Sequence, residues 1–333
     1  MEKVAMNRAK QRAVGRMMSV SLAIFIASAA SSLNAQDTRS VTEPIIPPTC
    51  ITLKAALTTA AATSGEIEAR SANSTTGKSA LDTIRIQQAL DHCAKGHAVE
   101  LAPDSGQVAA IAGANSAAAT AANSAVKTAF LTGPIALRPG VTLLIDKGVT
   151  LYASRNPKDY ELSDGSCGLV NDAPSGCHPL IAARIATGSA IMGDGAIDGQ
   201  GGAKILLDGK PSAKSWWDLA EEARTAGRQQ VPRLIDTDLT DDFILYRITL
   251  KNSPNFHLSF HRGDGLTVWS VKIDTPSTAR NTDGIDPAQS RNITITHSFI
   301  RTGDDNVAIK AGDGPTTNVS VLDNHFYSGH GMS

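Results

Sequence analysis

From Phe130 onward, apolar residues come in short runs that alternate with polar ones and are broken by Gly, Pro and Asp. Val141 to Ile145, Val149 to Tyr152 and Ala190 to Met192 are examples. Alternation at period two between turn residues predicts strands. The pattern also repeats. Four segments align, ILYRITLKNSP from Ile244, LTVWSVKIDTP from Leu266, ITITHSFIRTG from Ile293 and VSVLDNHFYSG from Val319, with starts 22, 27 and 26 residues apart. Each opens on an alternating run, continues into a second short apolar run and ends in a turn. A unit this small cannot bury its apolar side alone, so the units must stack and share one core. Built of strands, such a stack is expected to be all-β, a right-handed parallel β-helix. The competing reading is a β-sandwich, whose strands recur at shorter and less regular intervals.

The N-terminal half carries one helical signature. From Asp82 to Cys93, Ile86, Ala89, Leu90 and Cys93 fall at i, i+3, i+4 and i+7, with Asp82 placed as N-cap and Gly96 as stop. That helix would cap the N-terminal end of the solenoid and shield its open strand edge. Residues 105 to 129 are rich in Ala, Ser and Asn with little apolar pattern and read as a surface insertion. Further upstream, Lys3, Arg8, Lys10, Arg12 and Arg16 precede an apolar stretch from Met17 to Ala30, and Leu33-Asn34-Ala35 offers a small residue for cleavage. The stretch is too short to span a bilayer comfortably, so residues 1–35 are expected to be a signal peptide. The Pro-rich joint with Pro44, Pro47 and Pro48 makes 36–48 a linker and 49–333 the solenoid domain.

An exported chain, extracellular or periplasmic in transit, meets an oxidising compartment. Its four cysteines, Cys50, Cys93, Cys167 and Cys177, then suggest two disulfides with three possible pairings. Cys50–Cys93 with Cys167–Cys177 is the simplest. No CxxC occurs and no His lies at zinc-ligand spacing, so no metal is expected. A formal net charge of −1 gives no case for nucleic acid or membrane as partner.

Acidic residues cluster just beyond the repeat segments. The third segment runs into Asp304-Asp305, the fourth into His330-Gly331, and Asn281-Thr282-Asp283-Gly284-Ile285-Asp286 lies between the second and third. Asp304 and His330 share a repeat position, and Asp283 matches Asp305 when TDGID is aligned with DDNVA. Corresponding positions of neighbouring rungs stack roughly 4.8 Å apart. Three carboxylates and an imidazole would thus share one face. Like charges so close disfavour joint ionisation and push one pKa up. A carboxyl kept protonated beside ionised partners is what acid-assisted glycoside cleavage uses. A single Asp-Gly pair is explained by a turn; three acids and a His in register point to chemistry.

NTDGID at 281–286, TGDDNVAIK at 302–310 and SGHG at 328–331 resemble three of the four signature blocks of polygalacturonases, glycoside hydrolases built as right-handed parallel β-helices. GDGAIDGQG at 193–201, Trp216-Trp217 and LKNSPNFHLSF at 250–260 extend the resemblance, which covers most of the chain from about Cys50. It implies that Asp304 is the general acid, that Asp283 and Asp305 hold and activate the attacking water, and that His330 supports the acid. It also implies inversion at the anomeric carbon, polygalacturonate as substrate, no cofactor, and a monomer. Asn281 and Gly303 would shape turns. A polyanionic substrate needs local cations, for which Lys310 and Arg280 are the candidates. His257 and His261 read as structural or cleft-wall residues.

The fourth block, an Arg-Ile-Lys strand that grips substrate carboxylates, has no counterpart between His330 and Ser333. The expectation is a solenoid lacking its C-terminal rungs and turning over weakly or not at all. Alternatives are a related rhamnogalacturonan hydrolase, an exo-acting enzyme, or a non-catalytic β-helical pectin-binding protein. A pectate lyase would need calcium and an Arg base.

Overall fold

The structure, a computed structural model, describes residues 35–72, 80–105 and 126–333. The signal expected over 1–35, apart from Ala35, and most of the insertion expected over 105–129 lie outside the described residues. Among the described residues no helix is long and apolar enough to cross a membrane.

Three parallel sheets wind around one core. The first has eight strands, the second seven and the third five. One rung shows how they follow each other. Asp264–Trp269 lies in the first sheet, Lys272–Asp274 in the second and Ile285–Ala288 in the third. The next rung repeats the order with Arg291–Thr296 and Phe299–Arg301, and Val307 then pairs in parallel with Ile285. Parallel pairing throughout these sheets removes the sandwich alternative.

The register corrects one detail of the repeat. Leu266 pairs with Phe243, not Ile244, and with Ile293, which pairs in turn with Val319. The first unit therefore begins one residue earlier, at Phe243. With that shift Arg247, Ser270, His297 and Asp323 become equivalent, and all four adopt left-handed backbone with φ between 53° and 62°. One such residue bends the chain sharply from the first sheet into the second at each rung. None of the four is glycine, which is why no turn signal announces the corner. Inward positions stack as columns: Phe243, Leu266 and Ile293 are fully buried, as are Leu245, Val268 and Ile295. Burying one such side chain contributes roughly 1.5–3 kcal/mol, so the stack supplies most of the favourable term.

The end helix spans Thr83–His92 and buries Ile86, Ala89 and Leu90 in the main core. Asp82 precedes it as expected but makes no side-chain cap. Its carboxylate instead accepts from the Leu131 backbone N–H at 2.8 Å and pairs with Arg85. Cys93 is already extended, so the helix ends before Gly96. Cys50 is joined to Cys93, tying the helix to the edge strand Thr49–Lys54, and Cys167 is joined to Cys177.

Residues 36–48, read as a linker, lie across the first sheet. The Ala35 carbonyl accepts from Val319 N–H at 2.8 Å, Arg39 donates to the Leu266 carbonyl at 2.7 Å, and Glu43 accepts from the Tyr246 hydroxyl at 2.6 Å. The segment spans successive rungs as a strap. A second excursion follows the strand Ala196–Asp198: a hairpin of Lys204–Leu207 and Lys210–Ser215, then the helix Trp216–Ala226. Ser215 and Asp218 form a reciprocal capping box at its start. This excursion rises beside the turns that carry the acids.

Candidate active site

The acids occupy the turns between the second and third sheets, in two successive rungs. Asp283 lies two residues before Ile285 and Asp305 two before Val307, and Ile285 pairs with Val307. Val307 pairs in turn with Met332, two residues beyond His330. The alignment of TDGID with DDNVA is therefore the observed register, and Asp283, Asp305 and His330 form one column. Backbone bonds lock it: Gly284 N–H donates to the Asp305 carbonyl at 2.8 Å, and Asn306 N–H to the Gly331 carbonyl at 2.8 Å.

Two glycines make this stacking possible. A Cβ at Gly303 would lie 2.0 Å from the Ala279 carbonyl oxygen, and one at Gly284 would lie 2.3 Å from the Asn306 carbonyl oxygen. Asn281 turns the chain with φ of 56°, and its N–H donates to Asp304 Oδ2 at 3.2 Å. Asn306 is the stitch that the sequence did not announce. Buried, it donates to the Ser328 carbonyl at 2.7 Å and accepts from Gly331 N–H at 3.0 Å, holding the GDD and GHG turns together.

The polar side chains divide into two halves. In the open half, His330 Nδ1 lies 3.2 Å from Asp304 Oδ1 and 3.4 Å from Asp305 Oδ1. Asp304 Oδ1 also accepts from the Asp305 N–H at 3.0 Å. His330 is exposed and both carboxylates are partly so. The ligand atoms of these three residues lie within 4.8 Å of one another, close enough to hold a divalent cation as well. In the closed half, Asp283 and Asp286 are buried, and Lys310 bridges them. Lys310 Nζ is 3.2 Å from Asp283 Oδ2, hydrogen-bonds to Asp286 Oδ2, and sits 4.1 Å from the centre of the Phe256 ring. Burial pushes the Asp283 carboxyl up; Lys310 opposes that rise and the Asp304 charge adds to it. Burial, then Asp283, pushes Asp286 up as well.

Lys310, expected at the substrate, thus has its ammonium committed to two carboxylates. Arg280 donates to the Ala220 carbonyl at 3.0 Å and lines the neighbouring groove. His257 is fully buried and braces the site from below. Its Nδ1 meets the Asp283 carbonyl at 2.9 Å and its Nε2 the Thr275 hydroxyl at 2.9 Å, and burial lowers its pKa to about 4. His261, one of the cleft-wall candidates, is also lowered by burial.

A groove of about 370 Å³ reaches Asn281, with Ala223 of the excursion's helix and Asp236 of the third sheet in its lining. Arg228, Arg233, Arg280 and Phe256 contribute to its lining. Arg233 lies over the Phe256 ring at 5.3 Å and pairs with Asp236 at 2.7 Å. Sequence reading missed Arg228, Arg233 and Phe256, because nothing in their local pattern separates them from ordinary surface residues.

Residues 119–333 match the model of glycosyl hydrolases family 28. An endo-polygalacturonase of Pectobacterium carotovorum subsp. carotovorum is 44% identical over 321 residues, 96% of this chain and 68% of the relative. A polygalacturonase of Ralstonia solanacearum is 39% identical over 88% of this chain and 57% of its own length. Among solved structures, the polygalacturonase from Erwinia carotovora ssp. carotovora superposes with a TM-score of 0.72 at 43% identity, covering 90% of this chain and 68% of that one. The exopolygalacturonase from Thermotoga maritima shares the fold at 18% identity, with a TM-score of 0.55. The solenoid is the right-handed parallel β-helix of these enzymes. With its acids, glycines and His330 in register on that frame, the chain belongs to glycosyl hydrolases family 28.

Proposed function

We propose that this protein is a polygalacturonase that hydrolyses α-1,4-galacturonosyl linkages by a single displacement. Asp304 is the most exposed of the three acids, with a quarter of its side chain open to solvent, and acts as the general acid. Its proton passes to the glycosidic oxygen as the C1–O bond breaks. A water held by Asp283 and Asp305 attacks C1 from the opposite side and gives a proton to that carboxylate pair. One bond forms as one breaks, so the configuration at C1 inverts. His330, 3.2 Å from Asp304 and 3.4 Å from Asp305, orients the acid.

The observation that carries this reading is the column of acids in register beside a groove lined with arginines. Arg228 and Arg280 offer positive charge where a polygalacturonate chain would leave the acids, and Phe256 offers a ring face. Both disulfides fit an oxidising compartment, which supports export of the mature chain. The test is release of reducing ends from polygalacturonate by the purified chain and by Asp304→Asn. Release by the wild type that vanishes in the variant supports the assignment. Binding without release by a folded wild-type chain would instead make it a pectin-binding relative.

A further inference from the structure

Asp286 has no part in the displacement just described, yet it is one of the most deeply placed carboxylates in the site. It is 1% exposed, one of its oxygens meets Lys310, and the other has no hydrogen-bond partner among the described residues. The strand register sets Ser259 beside it, and the Ser259 hydroxyl is likewise buried and unpartnered. A buried carboxylate with one unpartnered oxygen is costly, unless it takes a proton or is held by a cation. Lys310 is that cation, and it is shared: the same ammonium lies 3.2 Å from Asp283, the base of the displacement.

We propose that Asp286 and Lys310 are positioning residues for hydrolysis, and that the charge on Asp286 decides how much of the Lys310 ammonium serves Asp283. When Asp286 is ionised, Lys310 divides between two carboxylates and Asp283 is the less stabilised as an anion. When Asp286 is protonated, its hydroxyl can turn to Ser259, and Lys310 acts on Asp283 alone. The Phe256 ring, 4.1 Å from Nζ, fixes the ammonium between the two. Burial favours the protonated form of Asp286 and Lys310 opposes it, so both forms lie within reach. The other charges facing the group are Asp304 and Asp305 from the next turn, Arg233 from the turn before Ile235–Asp238, and Asp236 and His261 from the neighbouring strands. None of these touches both Asp283 and Asp286, as Lys310 does.

This arrangement makes a prediction that a packing role does not. Removing Asp286 and removing Lys310 must move the ionisation of Asp283 in opposite directions. The inference rests on the reading of Asp283 as base, so its test needs a readout independent of turnover. In the full chain labelled with carboxyl-13C aspartate, the Asp283 signal is identified by its loss in Asp283→Asn and titrated by NMR. In Asp286→Asn, which is isosteric, its midpoint falls by about one pH unit; in Lys310→Met it rises by about one unit, and Lys310→Arg returns it toward the wild-type value. The acid limb of kcat/KM on polygalacturonate moves the same two ways, with KM little changed. Midpoints that stay put, or move together, overturn the proposal. So does a Lys310→Met variant that raises KM and leaves the midpoint alone, since Lys310 would then be a substrate ligand. Should Lys310→Met not fold, Asp286→Asn decides alone. Full activity in Asp283→Asn would remove the base assignment, while the titration would still judge the shared ammonium.

Discussion

The open and closed halves of the site contain the same ingredients, two carboxylates and a nitrogen base, and differ in burial. Asp304 and Asp305 meet His330 where solvent reaches all three. Asp283 and Asp286 meet Lys310 where the carboxylates are almost fully covered. In the closed half burial raises both carboxyls and the ion pair resists it. Burial therefore separates carboxylates that the sequence cannot tell apart. The open half is reached by solvent and by a substrate; in the closed half burial works against charge on both carboxyls, and Lys310 opposes it without cancelling it.

The largest expected effect comes from removing one carboxyl group in each half. Asp304→Asn and Asp283→Asn should each lower kcat by about 10³-fold, read as reducing-end release, with substrate binding kept. Equal losses on both sides of the comparison mean that the two halves act as one machine.

The next effect belongs to the closed half and depends on pH. The folded-state pKa of His257 is depressed to about 4 from 6.5, so its contribution is complete above pH 6.5 and is lost as pH falls toward 4. The loss amounts to about 3 kcal/mol, at about 1.4 kcal/mol per pH unit of depression. Thermal midpoints measured from pH 7 to 4 should fall less for His257→Gln than for the wild type. Parallel curves would mean that His257 does not anchor the closed half.

In the open half, His330→Ala removes the imidazole that lies 3.2 Å from Asp304 Oδ1 and orients that carboxyl. The expected outcome is a drop in kcat of about 10- to 100-fold with an unchanged thermal midpoint, since His330 is exposed. The smallest effect lies outside both halves. Arg228→Ala should raise KM about fivefold at low salt, less at high salt, and leave kcat alone.

The solenoid was legible because its apolar columns are written as a repeat, and the pairing of Asp283 with Asp305 followed from matching Ile285 to Val307. Two positions were misread: His330 was set against Asp304, when the pairing of Val307 with Met332 sets it against Asp305, and ILYR was set against LTVW, when Phe243 is the residue that opens the rung. Alternation alone cannot fix where a strand begins when its first residue is also apolar. The corners escaped notice because Arg247, Ser270, His297 and Asp323 carry left-handed backbone without glycine. Asp286 was visible within NTDGID but carried no signal of its burial, which comes from neighbouring rungs. The linker reading of 36–48 rested on prolines. Its hydrogen bonds are to strands more than 200 residues away, such as Arg39 to Leu266 and Glu43 to Tyr246, and local pattern cannot show these.

The measurement that tests the central claim most directly is the configuration of the reducing end first released from polygalacturonate, followed by proton NMR before mutarotation. One displacement by a water held between Asp283 and Asp305, with Asp304 as acid, predicts that the α-linkage yields the β-anomer. Initial appearance of the α-anomer would mean two displacements through a covalent intermediate and would contradict the roles assigned to all three acids.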